Sequence, residues 1–444
     1  MPLSSAASAR PPAEGLRATL RHLDFSKLWL GQVISSTGDR FYQFALLHLA
    51  LGSSTGMIGS FGRDSARVIF CGMVLPVLLS RWIGRQVDRR DRKQILFWAE
   101  AGRGVIAVVM LAAWSAGLGL TSLLALVAVS GLLTGLFIPA RQSALPMLVP
   151  PDHLVRGNAL MTFAGIAANL AGATAGLAVA LLGESFSFIA AAAGFALSSV
   201  LIYRIRADLR PQGVTEPSPA GPVASPHAPP AVRLLVWLTV GFTFVTGLFL
   251  PFFAEQVASH LDCSWLTPWL KDAKDASFAG LIVLLGVTGA GLFVGMLTAG
   301  RFPRLAHWRP TPVLMLVLWG TVVWRLGYTA NYASTALLCL LAGWATGLIT
   351  IPADARLQHE VAGRNHGKVF ARRLALSNIA FLSGLALNLD GRLLRTYGSP
   401  ELLQRLGGLA IVLAALFLLL GRRSLKGRWG APAPSPALET HAIH

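Results

Sequence analysis

Long stretches of the chain contain no Asp, Glu, Lys or Arg. A helix needs ~20 mostly apolar residues to cross the hydrocarbon core of a bilayer. Charged residues make up 13% of the chain, about half of the ~25% in ordinary globular proteins. We therefore predict an all-α polytopic membrane protein, and we exclude a disordered chain, a secreted disulfide scaffold and a typical cytosolic enzyme. The longest uncharged stretches are 41–62, 104–140, 157–183, 185–203, 234–254, 276–300 and 326–353.

Turn residues divide these stretches further. The run 104–140 is too long for one helix and holds Gly117 and Gly119 near its middle, and 326–353 holds a similar turn at 328–334. The pattern predicts twelve transmembrane helices. They are 26–51, 64–83, 94–117, 120–140, 156–182, 185–204, 232–256, 277–300, 311–328, 334–353, 367–390 and 403–421.

The net charge of +18 reflects topology. Of the 38 Lys and Arg residues, 28 fall in the segments on one predicted side of the membrane and 6 on the other. Lys and Arg accumulate on the cytoplasmic side of membrane proteins. We therefore expect both termini in the cytoplasm and no nucleic-acid partner.

The chain divides into two predicted halves. Residues 207–230 contain seven prolines, which is typical of a semi-rigid linker. The halves also repeat, since 131–140 read GLLTGLFIPA and 343–353 read GWATGLITIPA. Many secondary transporters are built from such repeats. The predicted segments are a cytoplasmic N-terminus 1–25, six-helix bundles 26–206 and 231–421, the linker 207–230 and a basic cytoplasmic tail 422–444.

The loop between predicted helices 2 and 3 reads GRQVDRRDRK. It resembles the signature loop of the major facilitator superfamily. Asp91 stands where that pattern more commonly has glycine. The residues that fit are Gly84, Asp88, Arg89, Arg92 and Lys93.

The resemblance covers about residues 20–425. It implies two pseudo-symmetric six-helix bundles around a central cavity that works by alternating access. It also implies that the loop is a cytoplasmic gate, in which Asp88 holds the two halves together near the start of helix 11, at about Gly367. Gly84 would permit close backbone packing at the helix end.

Less specific features of the sequence resemble the bacterial branch of drug, siderophore, macrolide and lysophospholipid transporters. They are the helix 1 stretch LWLGQVISSTGDRFYQFAL, the Glu100 and Arg103 pair, and the segment PARQSALPMLVPPDHLVRGNAL. Helix 5 departs from the Gly-Pro pattern of antiporters, because residues 172–177 read GATAGL.

Helix 1 carries a polar stripe. At ~100° per residue, Gln32, Ser36, Asp39 and Gln43 lie on one face. An ionised side chain in mid-bilayer costs ~2.5–3.5 kcal/mol and usually faces a cavity or a partner. Asp39 is therefore the predicted coupling or substrate-binding residue. The alternative is a structural pair between Asp39 and Arg40 or another arginine.

Other charged residues in the spans have two or more interpretations. Glu100 and Arg103 are spaced for an ion pair on one helix face, and a structural or gate-linked pair is favoured over a proton relay. Asp64 and Arg67 have the same spacing near the outer end of predicted helix 2. They are interpreted either as an outer gate or as interfacial residues. Arg325 has three interpretations. Its side chain neutralises an acid across the bundle, binds an anionic head group, or extends to the membrane interface.

Two asparagines complete the predicted cavity. Asn169 lies on a polar face of helix 5, and Asn388 shares a face of helix 11 with Ser377. The extracytoplasmic stretch 255–277 is predicted to be a lid or an interfacial segment, and a solvated loop is the default interpretation. Glycines spaced four apart, such as Gly343 and Gly347, predict helix packing.

The sequence holds no HExxH, P-loop or GxSxG motif, so we expect no enzyme, cofactor or metal site. We predict export of a small amphiphilic molecule (a drug, siderophore or macrolide-like compound) by proton antiport. One alternative is a lysophospholipid or other lipid flippase without proton coupling, and a second is a non-transporting membrane sensor. The expected partners are the substrate, the proton and the lipid bilayer, for a monomer in a bacterial inner membrane.

Overall fold

The computed structural model describes residues 19–52, 59–150, 153–210, 230–270, 273–302, 310–360 and 366–421. The described secondary structure is helical throughout, without a strand, which confirms the predicted fold class. One 3₁₀ turn covers Ser264–Trp269. The α-helices are α1 (Leu23–Gly52), α2 (Ser60–Leu78), α3 (Ser80–Arg89), α4 (Arg92–Ser115), α5 (Leu120–Leu148), α6 (Leu154–Tyr203), α7 (Pro230–His260), α8 (Ala273–Arg301), α9 (Thr311–Leu326), α10 (Tyr332–Glu360), α11 (His366–Ala386) and α12 (Arg392–Leu420).

Within the described residues, seven helices are long and apolar enough to cross a membrane, and the bent pair α2 and α3 would make eight. Helix α1 is 30 residues long but is not in this set. Its polar stripe lowers its hydropathy. The chain is therefore a multi-pass membrane protein whose first helix is unusually polar.

The helix boundaries differ from the predicted ones in several places. The second predicted helix is bent by 59° where α2 meets α3. Most of the predicted loop 141–156 is helical, because α5 continues to Leu148 and α6 begins at Leu154. Glycines with positive φ break two longer helices, at Gly183 in α6 (φ 85°) and at Gly398 in α12 (φ 73°). Such backbone angles suit residues without a Cβ.

The structure contains two compact units. The first comprises residues 1–53 and 68–220, and the second comprises 54–67 and 221–444. In the first unit, α6 packs against α1 and α4. In the second unit, α10 packs against α8 and α9, and α11 packs against α7. All three cysteines lie in the described residues, and none of them forms a disulfide.

The repeated glycines pack in the same way in the two units. A Cβ placed on Gly131 of α5 would lie 2.0 Å from the carbonyl oxygen of Gly72 on α2. One placed on Gly343 of α10 would lie 2.0 Å from the carbonyl oxygen of Thr288 on α8. Glycine is required at both positions because two helix backbones touch there. The prediction that these glycines serve packing is confirmed.

We expect Gly343→Ala to destabilise the protein by about 1–3 kcal/mol, because the new methyl group overlaps the backbone of α8. The matched control is Gly289→Ala on α8, where a Cβ would meet no atom within 4 Å. Alanine should be neutral or favourable there, since it forms helices better than glycine. Thermal unfolding of the two purified variants in detergent compares them. Equal stability would contradict the contact.

Candidate functional site

The residues of the predicted polar stripe lie midway along one continuous helix, α1. Gln32 Nε2 donates a hydrogen bond to Ser36 Oγ at 2.6 Å. Arg40 Nη1 donates to Gln43 Oε1 at 2.7 Å, and Gln43 is exposed. Asp39 does not pair with Arg40. Its partner comes from another helix.

Arg103 of α4 lies between two carboxyl groups. Its Nη2 donates to Asp39 Oδ1, and its Nη1 donates to Glu100 Oε1 at 3.1 Å. Ser35 Oγ of α1 also donates to Glu100 Oε1, at 2.9 Å. We call Ser35, Asp39, Glu100 and Arg103 the Asp39 cluster. It joins α1 to α4 through charged groups within one unit.

The burial of these side chains is unequal. Glu100 is 0% exposed and Arg103 is 2% exposed, whereas Asp39 is 23% exposed. The guanidinium of Arg103 also lies 4.1 Å from the ring centroid of Phe195 on α6, a cation–π contact that is strongest when desolvated. Arg103 is therefore held from three helices, and Asp39 is the least buried member of the cluster.

Small residues bring these helices close together. A Cβ on Gly38 of α1 would lie 3.3 Å from the carbonyl oxygen of Ala191 on α6. One on Gly104 of α4 would lie 3.6 Å from the carbonyl oxygen of Ala192. Close approach of spanning helices depends on such residues. Gly38 directly precedes Asp39, and Gly104 directly follows Arg103.

The predicted outer-gate residues lie at the start of α2. Asp64 is buried, and its Oδ1 accepts hydrogen bonds from Arg63 Nε at 2.8 Å and from Arg67 Nη1 at 3.3 Å. Arg67 Nε donates to the carbonyl oxygen of Leu389 at 2.9 Å. The two residues therefore interact as their spacing predicts, and Arg67 also ties α2 to the turn after α11.

Sequence reasoning missed the role of Glu255, which it placed where predicted helix 7 (232–256) meets the extracytoplasmic stretch 255–277. Helix α7 continues to His260, and Glu255 is 3% exposed. Its two carboxylate oxygens accept hydrogen bonds from the backbone N–H groups of Gly59 at 2.7 Å and Gly62 at 2.9 Å. The carboxylate thus caps the N-terminus of α2, where free N–H groups and the helix dipole favour a negative charge. A lone acid directly after an apolar run was the available signal.

We expect Glu255→Ala to lower the stability by about 2 kcal/mol or more. The substitution leaves two buried backbone donors without an acceptor, and each costs about 1–3 kcal/mol. Glu401→Ala is the control, because Glu401 pairs with Arg405 on an exposed surface of the same unit. Thermal unfolding in detergent should separate the two variants. Comparable melting temperatures would show that the Glu255 contacts contribute nothing.

The last residues of the signature loop, 91–93, have a structural role at the start of α4. Asp91 caps α4 by accepting a hydrogen bond from the backbone N–H of Lys93. This explains an aspartate where the pattern prefers glycine. Lys93 Nζ donates to the carbonyl oxygen of Ile205 at 2.7 Å, and Arg92 Nη1 donates to that of Leu209 at 3.4 Å. These contacts tie the start of α4 to the segment after α6.

The other residues of the signature loop are more exposed and less closely packed. Asp88 and Arg89 are exposed at the end of α3. A Cβ on Gly84 would meet no atom within 4 Å, so the expected close packing at this glycine is wrong for the described residues. The side chains near Gly367 lie outside the described residues, and the gate role of Asp88 stays a prediction.

The remaining predicted cavity residues are Arg325 and Asn388 of the second unit and Asn169 of α6. Arg325 is exposed in the last turn of α9. Helix α11 ends at Ala386, so Asn388 lies in a turn and does not share a helical face with Ser377. Asn388 is fully buried, and its Nδ2 donates to the carbonyl oxygen of Gly384 at 3.3 Å. The side chain of Asn169 lies outside the described residues.

No group of three or more potential metal ligands occurs among the described residues. Outside the spans, burial raises the pKa of the Cys263 thiol to about 11. This thiol is therefore protonated at neutral pH and a poor nucleophile.

A comparison with known families decides the identity of the fold. Residues 28–385 match the family described as the Major Facilitator Superfamily. The chain belongs to the Major Facilitator Superfamily. It is accordingly a membrane transporter of this type, which confirms the coarser part of the resemblance in the signature loop.

One relative is a Bacillus subtilis (strain 168) protein named "Uncharacterized MFS-type transporter YfiS". It is 23% identical over 409 residues, which cover 90% of this transporter and 94% of the relative. The family and this relative are transporters rather than enzymes. Neither names a substrate.

Solved structures share the fold. A POT family transporter in complex with 5-aminolevulinic acid has a TM-score of 0.68 at 12% identity, covering 91% of this chain and 96% of its own. A bacterial homologue of the human lysosomal transporter Spinster, described as inward-facing and unoccupied, has a TM-score of 0.65 at 14% identity, covering 92% and 99%. These similarities establish the architecture, and they do not identify the substrate.

Proposed function

We propose that this transporter exports an amphiphilic small molecule in exchange for protons, and that the Asp39 cluster couples the two movements. The proposal rests on the position of Arg103, whose single guanidinium lies between two carboxyl groups. One positive charge balances one carboxylate. The cluster is therefore neutral when the other carboxyl group holds a proton, and neutrality matters because net charge in the membrane is costly.

Asp39 is the group that exchanges this proton. Its side chain is partly exposed, whereas the Glu100 carboxyl group is fully buried. When Asp39 is ionised, Arg103 pairs with it. When Asp39 is protonated, Arg103 still has Glu100 and Ser35 as partners. The buried arginine therefore has a partner in both states.

This exchange changes the tie between α1 and α4. An ionised Asp39 binds α4 by an ion pair, and a protonated Asp39 leaves a weaker, neutral hydrogen bond. A carrier needs such an element, whose two arrangements are favoured by different ligands. The sequence resemblance to drug, siderophore and macrolide exporters supports an amphiphilic substrate and outward transport.

Arg40 supports the rival function, an uncoupled lipid transporter. A Cβ on Gly172 of α6 would lie 3.2 Å from Arg40 Cδ, so the stem of Arg40 packs inside the unit. If Arg40 balances the second carboxylate, the cluster is neutral without a proton. Transport would then not depend on a proton gradient. The GATAGL segment of predicted helix 5 agrees with this alternative.

The experiment that decides uses the purified protein in proteoliposomes with an acidic lumen and a pH-sensitive dye. The panel comprises lipophilic cations, catecholates, macrolides and lysophospholipids. We expect one class to dissipate the proton gradient. Labelled lysophospholipid that moves equally well without a gradient would instead establish the uncoupled lipid transporter. Specific binding of a compound without any flux would favour the sensor.

A further inference from the structure

A cavity of about 1210 Å³ opens at one end of the first unit. The start of α1, the start of α4, the end of α5 and the segment after α6 form its walls. Five arginine or lysine side chains and one aspartate are among the lining residues. These are Arg21, Lys27, Lys93, Arg204, Arg206 and Asp24.

The only described acid of this cavity is engaged in its wall. Asp24 Oδ1 accepts a hydrogen bond from Lys27 Nζ at 2.7 Å. Asp24 Oδ2 accepts from the backbone N–H groups of Arg206 at 3.1 Å and Ala207 at 2.9 Å. Lys27 Nζ also donates to the carbonyl oxygen of Arg204 at 2.8 Å. The acid and this lysine therefore hold the segment after α6 in place.

Three arginines remain available to a ligand. Arg21, Arg204 and Arg206 are exposed, and none of them pairs with a carboxylate among the described residues. Arginine binds phosphate oxygens through two parallel hydrogen bonds. The cavity therefore has the charge and the donors that a phosphate group requires.

An apolar surface adjoins the cavity. Leu23 and Tyr203 line it and are 74% and 68% exposed. The ring of Phe97 lies 5.9 Å from that of Tyr203 and 5.1 Å from that of Trp98, which is 68% exposed. Tyrosine and tryptophan are enriched where a protein meets the membrane interface. Acyl chains have a surface to lie on next to the basic cavity.

We propose that this cavity binds the phosphate of an anionic phospholipid. The arginines bind the headgroup, and the Tyr203, Phe97 and Trp98 rings contact the chains. Basic pockets between spanning helices at the membrane surface favour such lipids. A free phosphate shares the headgroup chemistry but has no use for the aromatic surface. The site is separate from the Asp39 cluster and does not depend on the transport proposal.

The test uses the full-length protein in detergent, without a transport assay. Phosphatidylglycerol, phosphatidylcholine and inorganic phosphate are added in turn, and thermal unfolding and lipid binding by native mass spectrometry are recorded. We expect phosphatidylglycerol to raise the melting temperature more than phosphatidylcholine does. Equal stabilisation by inorganic phosphate would overturn the lipid assignment.

The variant Arg204→Gln/Arg206→Gln removes two guanidinium groups and keeps the backbone N–H group that binds Asp24. Each basic residue near an anionic surface contributes roughly fivefold in affinity, so phosphatidylglycerol should bind about 25-fold more weakly. The control Arg233→Gln/Arg301→Gln removes two exposed arginines at helix ends of the other unit.

The control variant should bind phosphatidylglycerol as the unaltered protein does. Equal weakening in both variants would show nonspecific attraction to positive charge and would overturn the site. Arg21→Gln, at a lining residue just before α1, is the second variant if the pair unfolds. Unchanged phosphatidylglycerol binding in Arg21→Gln would also count against the proposal.

Discussion

Asp39→Asn is expected to abolish gradient-driven transport while leaving the substrate site intact. Asparagine keeps the size of the side chain but cannot exchange a proton. We expect proton-coupled flux to fall by about 100-fold or more, within the range for loss of a group that transfers protons. Exchange of labelled for unlabelled substrate needs no net proton movement and should persist. Both fluxes are measured in the same proteoliposomes.

The matched control is Asp208→Asn, at a carboxylate that is 75% exposed in the same unit. This variant should transport normally. If Asp39 has a structural role, the variant should lose both proton-coupled flux and substrate exchange. If Asp39 has a coupling role, only the proton-coupled flux should fall. Undiminished coupled flux in Asp39→Asn would refute the assignment.

Arg103→Met is expected to have the largest effect on stability. Methionine fills part of the volume but leaves the carboxyl group of Glu100 buried without its guanidinium. Breaking a buried ion pair by removing one partner costs about 3–5 kcal/mol. We expect a melting temperature well below that of the unaltered protein in detergent. Adding Glu100→Gln should recover much of the loss, because the amide carries no charge.

The comparison for Arg103 is Arg405→Met, since Arg405 forms an exposed pair with Glu401. Exposed ion pairs contribute little, so this variant should melt close to the unaltered protein. If Arg103→Met were as stable as Arg405→Met, the cluster would not hold α1 to α4. If Glu100→Gln gave no recovery, the cost would come from lost packing against Phe195 rather than from charge.

Local patterns were sufficient for much of the fold. The uncharged runs predicted spanning helices, because a bilayer excludes unpaired polar groups whatever the tertiary arrangement. The spacing of Gly343 and Gly347 predicted a packing face, because helix periodicity places them on one side. The break at Gly183 could be read from an acid, Glu184, that interrupts two apolar runs.

At the candidate site, the sequence predicted the relations within one helix but not the contacts between helices. Helical periodicity placed Asp39 on a polar stripe and paired Glu100 with Arg103, since both relations lie within a single helix. Nothing in the spacing connected Asp39 to Arg103, which is 64 residues away. Their contact depends on how α1 and α4 pack, which small residues such as Gly38 and Gly104 allow but do not specify.

Glu255 shows the same division at the other end of the chain. Its apolar surroundings in sequence were visible, but its partners, the N–H groups of Gly59 and Gly62, lie more than 190 residues earlier. The sequence by itself determined where most of the helices lie and which of their faces are polar, because hydrophobicity and periodicity act locally. The tertiary structure alone decided which charges meet, because electrostatic pairing depends on distances of a few ångströms between helices that are far apart in the chain.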